Sequence, residues 1–261
     1  LYVDTDLIPN QAVSKAVLET TLGNLTTKNS IYNLKENAFN SDYLLNIPQL
    51  DKLKDVVKMS LKGKLDISGE LYNKENSMSL NGKSDTLGGT FDFDLKNDKL
   101  NANLKNIDIQ ELSSMLDYSK IFDSKANFNL DYDLLTKKGN LLGKLTNGHL
   151  LENNFVTLVN QLAKVELTKE VYETFDINTK INDRILTSDL IMKSQNTQLN
   201  IKDSILDLEK NLIDAKINTT IKDKTLDINL KGETSSPQIS LDAKDLLKEK
   251  INKKIEKKKD K

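Results

Sequence analysis

The chain has no cysteine, no tryptophan, one histidine (His149) and one arginine (Arg184), and aromatic residues make up 5% of it. Without cysteine there is no disulfide, zinc–thiolate centre or thiol nucleophile. That suits a cytosolic protein, or a periplasmic one that folds without covalent staples. Scarce aromatics leave few stacking platforms for single-stranded nucleic acid. The net charge of −1 across 261 residues, 30% of them charged, gives no global attraction to nucleic acid or anionic membrane. No run of about 18 apolar residues spans a bilayer, and no signal peptide is recognisable. The chain begins at Leu1 without an initiator Met, so it reads as mature, trimmed or excised from a longer chain that an anchor could precede. The richness in Lys, Asn and Ile against a single Arg reads as genomic base composition.

What is present is alternation. In "LDINLKGETSSPQISLD" (226–242), Leu226, Ile228, Leu230 and Gly232 fall on one side, and Asp227, Asn229 and Lys231 on the other. A period of two is a strand with one dry and one wet face. Ile213, Ala215, Ile217, Thr219 and Ile221 form a second such row. A two-residue loop at Asp223-Lys224 would set Ile221 across from Leu226 and Ile217 across from Leu230.

The device recurs. Phe91, Phe93 and Leu95 meet Leu100, Ala102 and Leu104 around Asn97-Asp98. Phe175, Ile177 and Ile181 meet Leu186, Leu190 and Met192 around Asp183-Arg184. Ile201 is expected to meet Leu206 around Asp203-Ser204, and Leu208 to meet Ile213 around Lys210-Asn211. Longer loops pair Leu71 with Met78 and Leu134 with Leu141. Several segments in matching phase make a meander; their uneven lengths exclude a fixed-repeat solenoid.

The expected organisation has an N-terminal helical or irregular segment (1–58), a β domain (59–245) and a basic C-terminal helical tail (246–261). The domain holds sheet sections at 59–106, 123–147 and 172–241. Apolar spacing predicts helices at 7–22, where Pro9 precedes Ala12, Ala16 and Leu18, and at 49–58, 109–119 and 152–165. Residues 24–48 show no strong period. The fold class is mainly β with a few helices (α+β): a long, curled antiparallel meander forming an apolar groove or taco-like open barrel, with short connecting helices and a C-terminal helix.

An apolar sheet face must be covered, since each buried Leu or Ile gains about 1.5–3 kcal/mol over exposure. The few helices do not suffice for a dozen strands. The sheet therefore packs on itself as an ordinary core, or curls into a trough lined by Leu, Ile and Phe, which suits acyl chains because they need apolar contact and no directional partner. Periodicity leaves both open. The lining candidates are Phe91, Phe93, Leu95, Phe128, Leu130, Ile177, Leu190, Ile217, Ile228 and Leu230.

Reaction chemistry is not in view. His149, beside Gly148, reads as a surface polar residue. There is no HExxH, GxSxG or Walker loop, and Gly88-Gly89 reads as a strand bulge or kink. Asp92, Asp94, Asp131 and Asp133, spaced two apart, read as a solvated face, with weak Ca²⁺ binding as the alternative. No catalytic residue, metal or cofactor is expected, and the chain is read as a non-enzyme. The tail "KEKINKKIEKKKDK" reads as a solvated helix, or as a contact for anionic headgroups.

The segment 226–242, with strand, Gly232, Ser235-Ser236, Pro237, the short strand Ile239–Leu241 and a helix from about Asp245, resembles the closing motif of the AsmA-like family of bacterial envelope proteins. "LNGKSDTLGGTFDFDLKNDKLNANLKNIDIQELSSML" (80–116) is similar to the family's Gly-Gly strand, hairpin, strand and short helix, and "FDSKANFNLDYDLLTKKGNLLGKLTNGHL" (122–150) continues its order. The resemblance covers about 59–245. It implies a periplasmic protein tethered to the inner membrane through a segment outside this chain. It also implies phospholipid or another acyl-chain lipid as the partner, envelope proteins as further partners, no nucleic acid, and a part in outer-membrane biogenesis and lipid homeostasis. The alternative is a non-enzymatic structural or protein-interaction β module with a closed core.

Overall fold

The computed structural model describes residues 1–75, 77–163, 165–222 and 224–242. The tail expected to be helical at 246–261 lies outside them. Sixteen strands form one antiparallel sheet in strict chain order, with three short helices among the described residues. No pairing joins the first strand to the last among those residues, so the sheet is not closed. Contacts divide the chain into units Leu1–Leu141 and Leu142–Lys261.

The first unit contains β1 (Tyr2–Ile8), β2 (Gln11–Glu19), β3 (Asn24–Asn33), β4 (Ala38–Ile47), β5 (Leu65–Lys74), β6 (Ser77–Thr86), β7 (Gly89–Lys96), β8 (Lys99–Asp108), β9 (Phe122–Asp133) and the start of β10 (Lys138–Leu150). Between β4 and β5 lie a 3₁₀ turn, Leu50–Leu53, and α1 (Lys54–Val57); between β8 and β9 lies α2 (Ile109–Met115). Asp108 starts α2, its carboxylate accepting the N–H groups of Gln110 (2.9 Å) and Glu111 (3.1 Å), which satisfies donors with no partner in the first turn. The second unit continues with α3 (Asn154–Ala163), β11 (Thr174–Asn182), β12 (Ile185–Lys193), β13 (Thr197–Asp207), β14 (Leu212–Ile221), β15 (Lys224–Glu233) and β16 (Gln238–Asp242). Asn153 caps α3 by accepting from the Val156 N–H at 3.0 Å.

Three expectations about the N-terminal region change. Residues 7–22 form a hairpin in place of a helix: Pro9-Asn10 is a two-residue turn with Asn10 at φ 64°, setting Ile8 opposite Gln11 and Leu7 opposite Ala12. Residues 24–48, without visible period, are β3 and β4; Asn29, out of register with both neighbouring strands, forms a bulge that breaks the alternation. Residues 1–58 are therefore mostly strand, with helix only near 50–57. The helices expected near 49–58, 109–119 and 152–165 are present.

Hairpins at 97–98 and 183–184 have the expected registers: Leu95 opposite Leu100, Phe93 opposite Ala102, Ile181 opposite Leu186, Ile177 opposite Leu190. Asn97 (φ 52°) and Asp183 (φ 54°) supply the left-handed residue that such turns need. Other registers differ. Asp203-Ser204 is a bulge inside the continuous strand β13, not a turn; Asp203 takes φ 51° there, and Leu206 pairs with Leu186 and Ile213. Leu71 faces Leu80 rather than Met78. Ile217 faces Ile228 and Ile221 faces Lys224, because the turn starts at Lys222 (φ 54°). Leu87-Gly88, both at positive φ, form the β6–β7 turn, so Gly88 is a hairpin residue rather than a strand kink.

A loop module explains the longer hairpins. Asn33-Leu34-Lys35-Glu36-Asn37, Asp133-Leu134-Leu135-Thr136-Lys137 and Asp207-Leu208-Glu209-Lys210-Asn211 share one pattern. The first side chain accepts backbone N–H groups of the loop, and the last residue is left-handed (φ 48°, 56° and 54°). The N–H of the module's leucine then bonds back to the preceding hairpin: Leu34 to the Asn10 carbonyl (2.9 Å), Leu134 to Asp98 (2.8 Å), Leu208 to Arg184 (2.9 Å). An Asx side chain imitates a backbone turn here, and the fifth residue reverses the chain.

Candidate functional site

Register places the ten lining candidates on two apolar faces, one per unit. In the first unit a line of directly opposed residues crosses nine strands: Val3, Ala16, Thr27, Tyr43, Gly69, Gly82, Phe93, Ala102, Leu130. Beside it run Leu71–Leu80–Leu95–Leu100–Tyr132 and Ser84–Phe91–Leu104–Phe128. Phe91, Phe93, Leu95, Phe128 and Leu130 thus share one face. The Phe91 and Phe93 rings stack at 5.7 Å between centroids, a contact worth about 0.5–1.5 kcal/mol beyond area.

In the second unit the line is Ile177–Leu190–Ile201–Ile217–Ile228–Leu241. It is flanked by Phe175–Met192–Leu199–Thr219–Leu226, and Leu230 stands opposite Ala215 and Ile239. Ile177, Leu190, Ile217, Ile228 and Leu230 share that face.

Burial along these rows is uneven. At the strand ends that carry helices, side chains are sealed: Leu50 (1% exposed), Ile107 (0%) and Ala126 (1%) in the first unit, Val156, Val159, Ile228 (all 0%) and Ile221 (2%) in the second. Toward the hairpin ends cover falls away. Along β9, Phe122, Ser124, Ala126 and Phe128 are buried while Leu130 and Tyr132 are half-buried; along β15, Leu226 and Ile228 are buried while Leu230 is half-buried. Of the candidates, Phe128, Ile217 and Ile228 are buried; Phe91, Phe93, Leu95, Leu130, Ile177, Leu190 and Leu230 are half-buried.

Two glycines shape the first unit's face. A Cβ on Gly82 would lie 2.5 Å from a Phe93 ring carbon, 2.6 Å from the Tyr43 hydroxyl oxygen and 2.8 Å from an Ile67 methyl. Tyr43 lies across Gly69 and donates to the Asn81 carbonyl at 2.8 Å. Gly82 thus makes room for the Phe93 ring and the Tyr43 hydroxyl, while a Cβ on Gly69 would run into the Asn81 backbone. Sequence reasoning missed Tyr43, Gly69 and Gly82; only the pairing register brings them into line.

Hydroxyls interrupt both faces at bulges. Ser30 and Ser41 bond at 2.7 Å, and Thr179 and Ser188 at 2.8 Å. The buried Ser84 and Thr219 hydroxyls have no hydrogen-bond partner among the described residues.

The other face is a charged ladder. Lys231 pairs with Asp214 (2.8 Å), Lys96 with Asp94 (3.0 Å), and Lys99 with Asp133. Exposed pairs of this kind contribute about 0–1 kcal/mol. Lys99, with the Thr136 N–H, holds the Asp133 carboxyl at about 2. An open depression of about 530 Å³ surrounds the glycine pair, and Lys28, Asp42, Glu70, Lys83 and Asp92 charge its lining; it is not the apolar site expected. His149 is half-buried on β10. No group of three or more acidic or His side chains converges to hold a metal among the described residues, and no helix among them is long and apolar enough to cross a membrane.

No protein-family model, curated protein or solved structure matches the chain.

Proposed function

We propose that the chain is an AsmA-like protein of the bacterial envelope whose apolar sheet faces hold or guide phospholipid acyl chains. In this reading each face is the wall of a groove, the chain works in the periplasm tethered to the inner membrane, and it serves outer-membrane biogenesis and lipid homeostasis without acting as an enzyme. The observation that carries it is the burial gradient. Helical connections seal one end of each face, and the large side chains beyond, Phe91, Phe93, Leu95 and Leu130 above all, keep part of their surface open. An apolar surface left partly wet costs about 25 cal/mol per Å², and an acyl chain removes that cost without any directional partner. The line from Val3 to Leu130 is apolar or uncharged at all nine positions, as a floor for hydrocarbon requires.

A closed structural or protein-interaction module is the second reading. The sealed cluster of Thr219, Ile221, Leu226 and Ile228 favours it for the second unit.

Native mass spectrometry of full-length chain purified gently from bacterial membranes tests the proposal. Adducts with phospholipid masses are expected; a clean apo mass under conditions that keep lipid on a known carrier contradicts it.

A further inference from the structure

We propose that the hairpin rim of the first unit docks on an anionic bilayer surface. Antiparallel strands in chain order bring all odd-to-even connections to one edge of the sheet, with successive tips about 10 Å apart. Five such tips lie in this unit, and each is tied to the next. The Leu34 N–H donates to the Asn10 carbonyl (2.9 Å), and Lys74 pairs with Glu36 (3.0 Å). The Asn97 N–H donates to the Met78 carbonyl (2.8 Å), with the Met78 N–H returning a bond to the Asn97 side chain (2.9 Å), and the Leu134 N–H donates to the Asp98 carbonyl (2.8 Å). The rim is a bonded strip, so it presents its side chains together.

Those side chains are large, apolar and wet: Leu7 (80% exposed), Leu34 (58%), Tyr72 (43%), Met78 (40%), Leu134 (45%) and Leu135 (78%). Loop leucines at such exposure serve no core. Around them, residues 7–10, 33–37, 72–78, 96–99 and 133–138 hold six lysines against four carboxylates in a chain whose overall charge is −1. Three of these lysines, Lys74, Lys96 and Lys99, form exposed ion pairs with Glu36, Asp94 and Asp133, which contribute little and so yield readily to phosphate. Apolar tips flanked by lysines match a bilayer surface: leucine and tyrosine enter the headgroup boundary while lysine stems reach back to phosphate. The tips of the second unit are tied the same way, Leu208 to Arg184 and Thr234 to Asn211, but at 183–184, 208–211 and 234–237 the large exposed side chains are the charged Glu209 and Lys210, with Leu212 (39% exposed) the one exposed leucine beside them. The tying belongs to the fold; the row of exposed apolar tips belongs to the first rim.

Leu7 and Met78 stand at the hairpin end of the apolar side, but Leu34 and Leu135 lie in the loops beyond the strands, and the test reads insertion depth at those two rather than lipid uptake, so either proposal can fail alone. The chain has no tryptophan, so single Leu34→Trp, Leu135→Trp and, as a polar-face control, Ile191→Trp variants of the full chain each report one position. They are mixed with vesicles of phosphatidylcholine containing roughly one-third phosphatidylglycerol, or none. Expected are a blue shift and quenching by brominated acyl chains for Leu34→Trp and Leu135→Trp on anionic vesicles only, with Ile191→Trp unchanged. A triple Leu7, Leu34, Leu135→Asp variant with an unchanged melting midpoint is expected to partition roughly tenfold less or weaker. Equal quenching at Ile191→Trp, full vesicle binding by the triple variant, or binding without any shift at the rim positions (as the basic tail alone would give) overturns the proposal.

Discussion

The hydroxyl of Tyr43, on β4, donates to the carbonyl of Asn81, on β6, by reaching across Gly69 of the intervening strand. Burial raises the Tyr43 phenol above its ordinary value. Tyr43→Phe keeps the ring and is expected to cost about 0.5–1.5 kcal/mol. Gly82→Val places carbon where Phe93, Tyr43 and Ile67 already are, and is expected to cost more, about 1–3 kcal/mol. Urea unfolding of both variants checks the order.

Thr219 is fully buried between Leu199 and Leu226, with its hydroxyl unpartnered among the described residues. Thr219→Val keeps the shape and removes the polar atom. A gain of about 1 kcal/mol is expected, read as a higher denaturation midpoint.

Ile217 and Leu130 separate packing from occupancy. Ile217 is 7% exposed, so Ile217→Ala is expected to cost about 2–5 kcal/mol by leaving a cavity. Leu130 is half-buried where helical cover ends. Leu130→Asn is expected to keep cooperative melting and reduce co-purified phospholipid. Unfolding of Leu130→Asn would favour a closed core.

The loop carboxylates set the acid response. Lys99, then the Thr136 N–H, hold Asp133 at about 2 against an ordinary 3.8; the Lys210 N–H, foremost, lowers Asp207. At Asp108 burial opposes the shift, and the Glu111 and Gln110 N–H groups with Lys125 outweigh it. A depressed carboxyl stabilises the fold above its unfolded value and loses that contribution as pH falls through the folded one. Stability is therefore expected to decline between about pH 4 and pH 2, and the Asp133 carboxyl resonance to titrate near 2. An ordinary midpoint for Asp133 would break the account of the loop.

Alternation made most of the second unit legible, because β-branched and leucine rows kept phase around short turns such as Asp183-Arg184. The N-terminal strands were not legible for two physical reasons. Ile8, Ala12 and Ala16 fall at helical spacing by accident, while the deciding element is the Pro9-Asn10 turn. Bulges erase the period of two, and Lys28-Asn29, Lys105-Asn106 and Lys202-Asp203, each with a left-handed second residue inside a strand, look locally like turns, which is why the sequence suggests one at Asp203-Ser204. The face carrying Phe91, Phe93 and Leu95 followed from sequence. The glycine pair that receives Tyr43 and Phe93 did not, since it rests on pairings 13 and 38 residues apart in the chain.

The most direct measurement is methyl NMR of the full chain with phospholipid carrying a spin label deep in its acyl chain. The half-buried face methyls of Leu95, Leu130, Leu190 and Leu230 are expected to broaden, while Leu44, Ile191 and Ile205, exposed on the opposite face, stay sharp. Sharp face methyls at saturating lipid, or equal broadening on both faces, would contradict the claim that the apolar side of this sheet receives hydrocarbon.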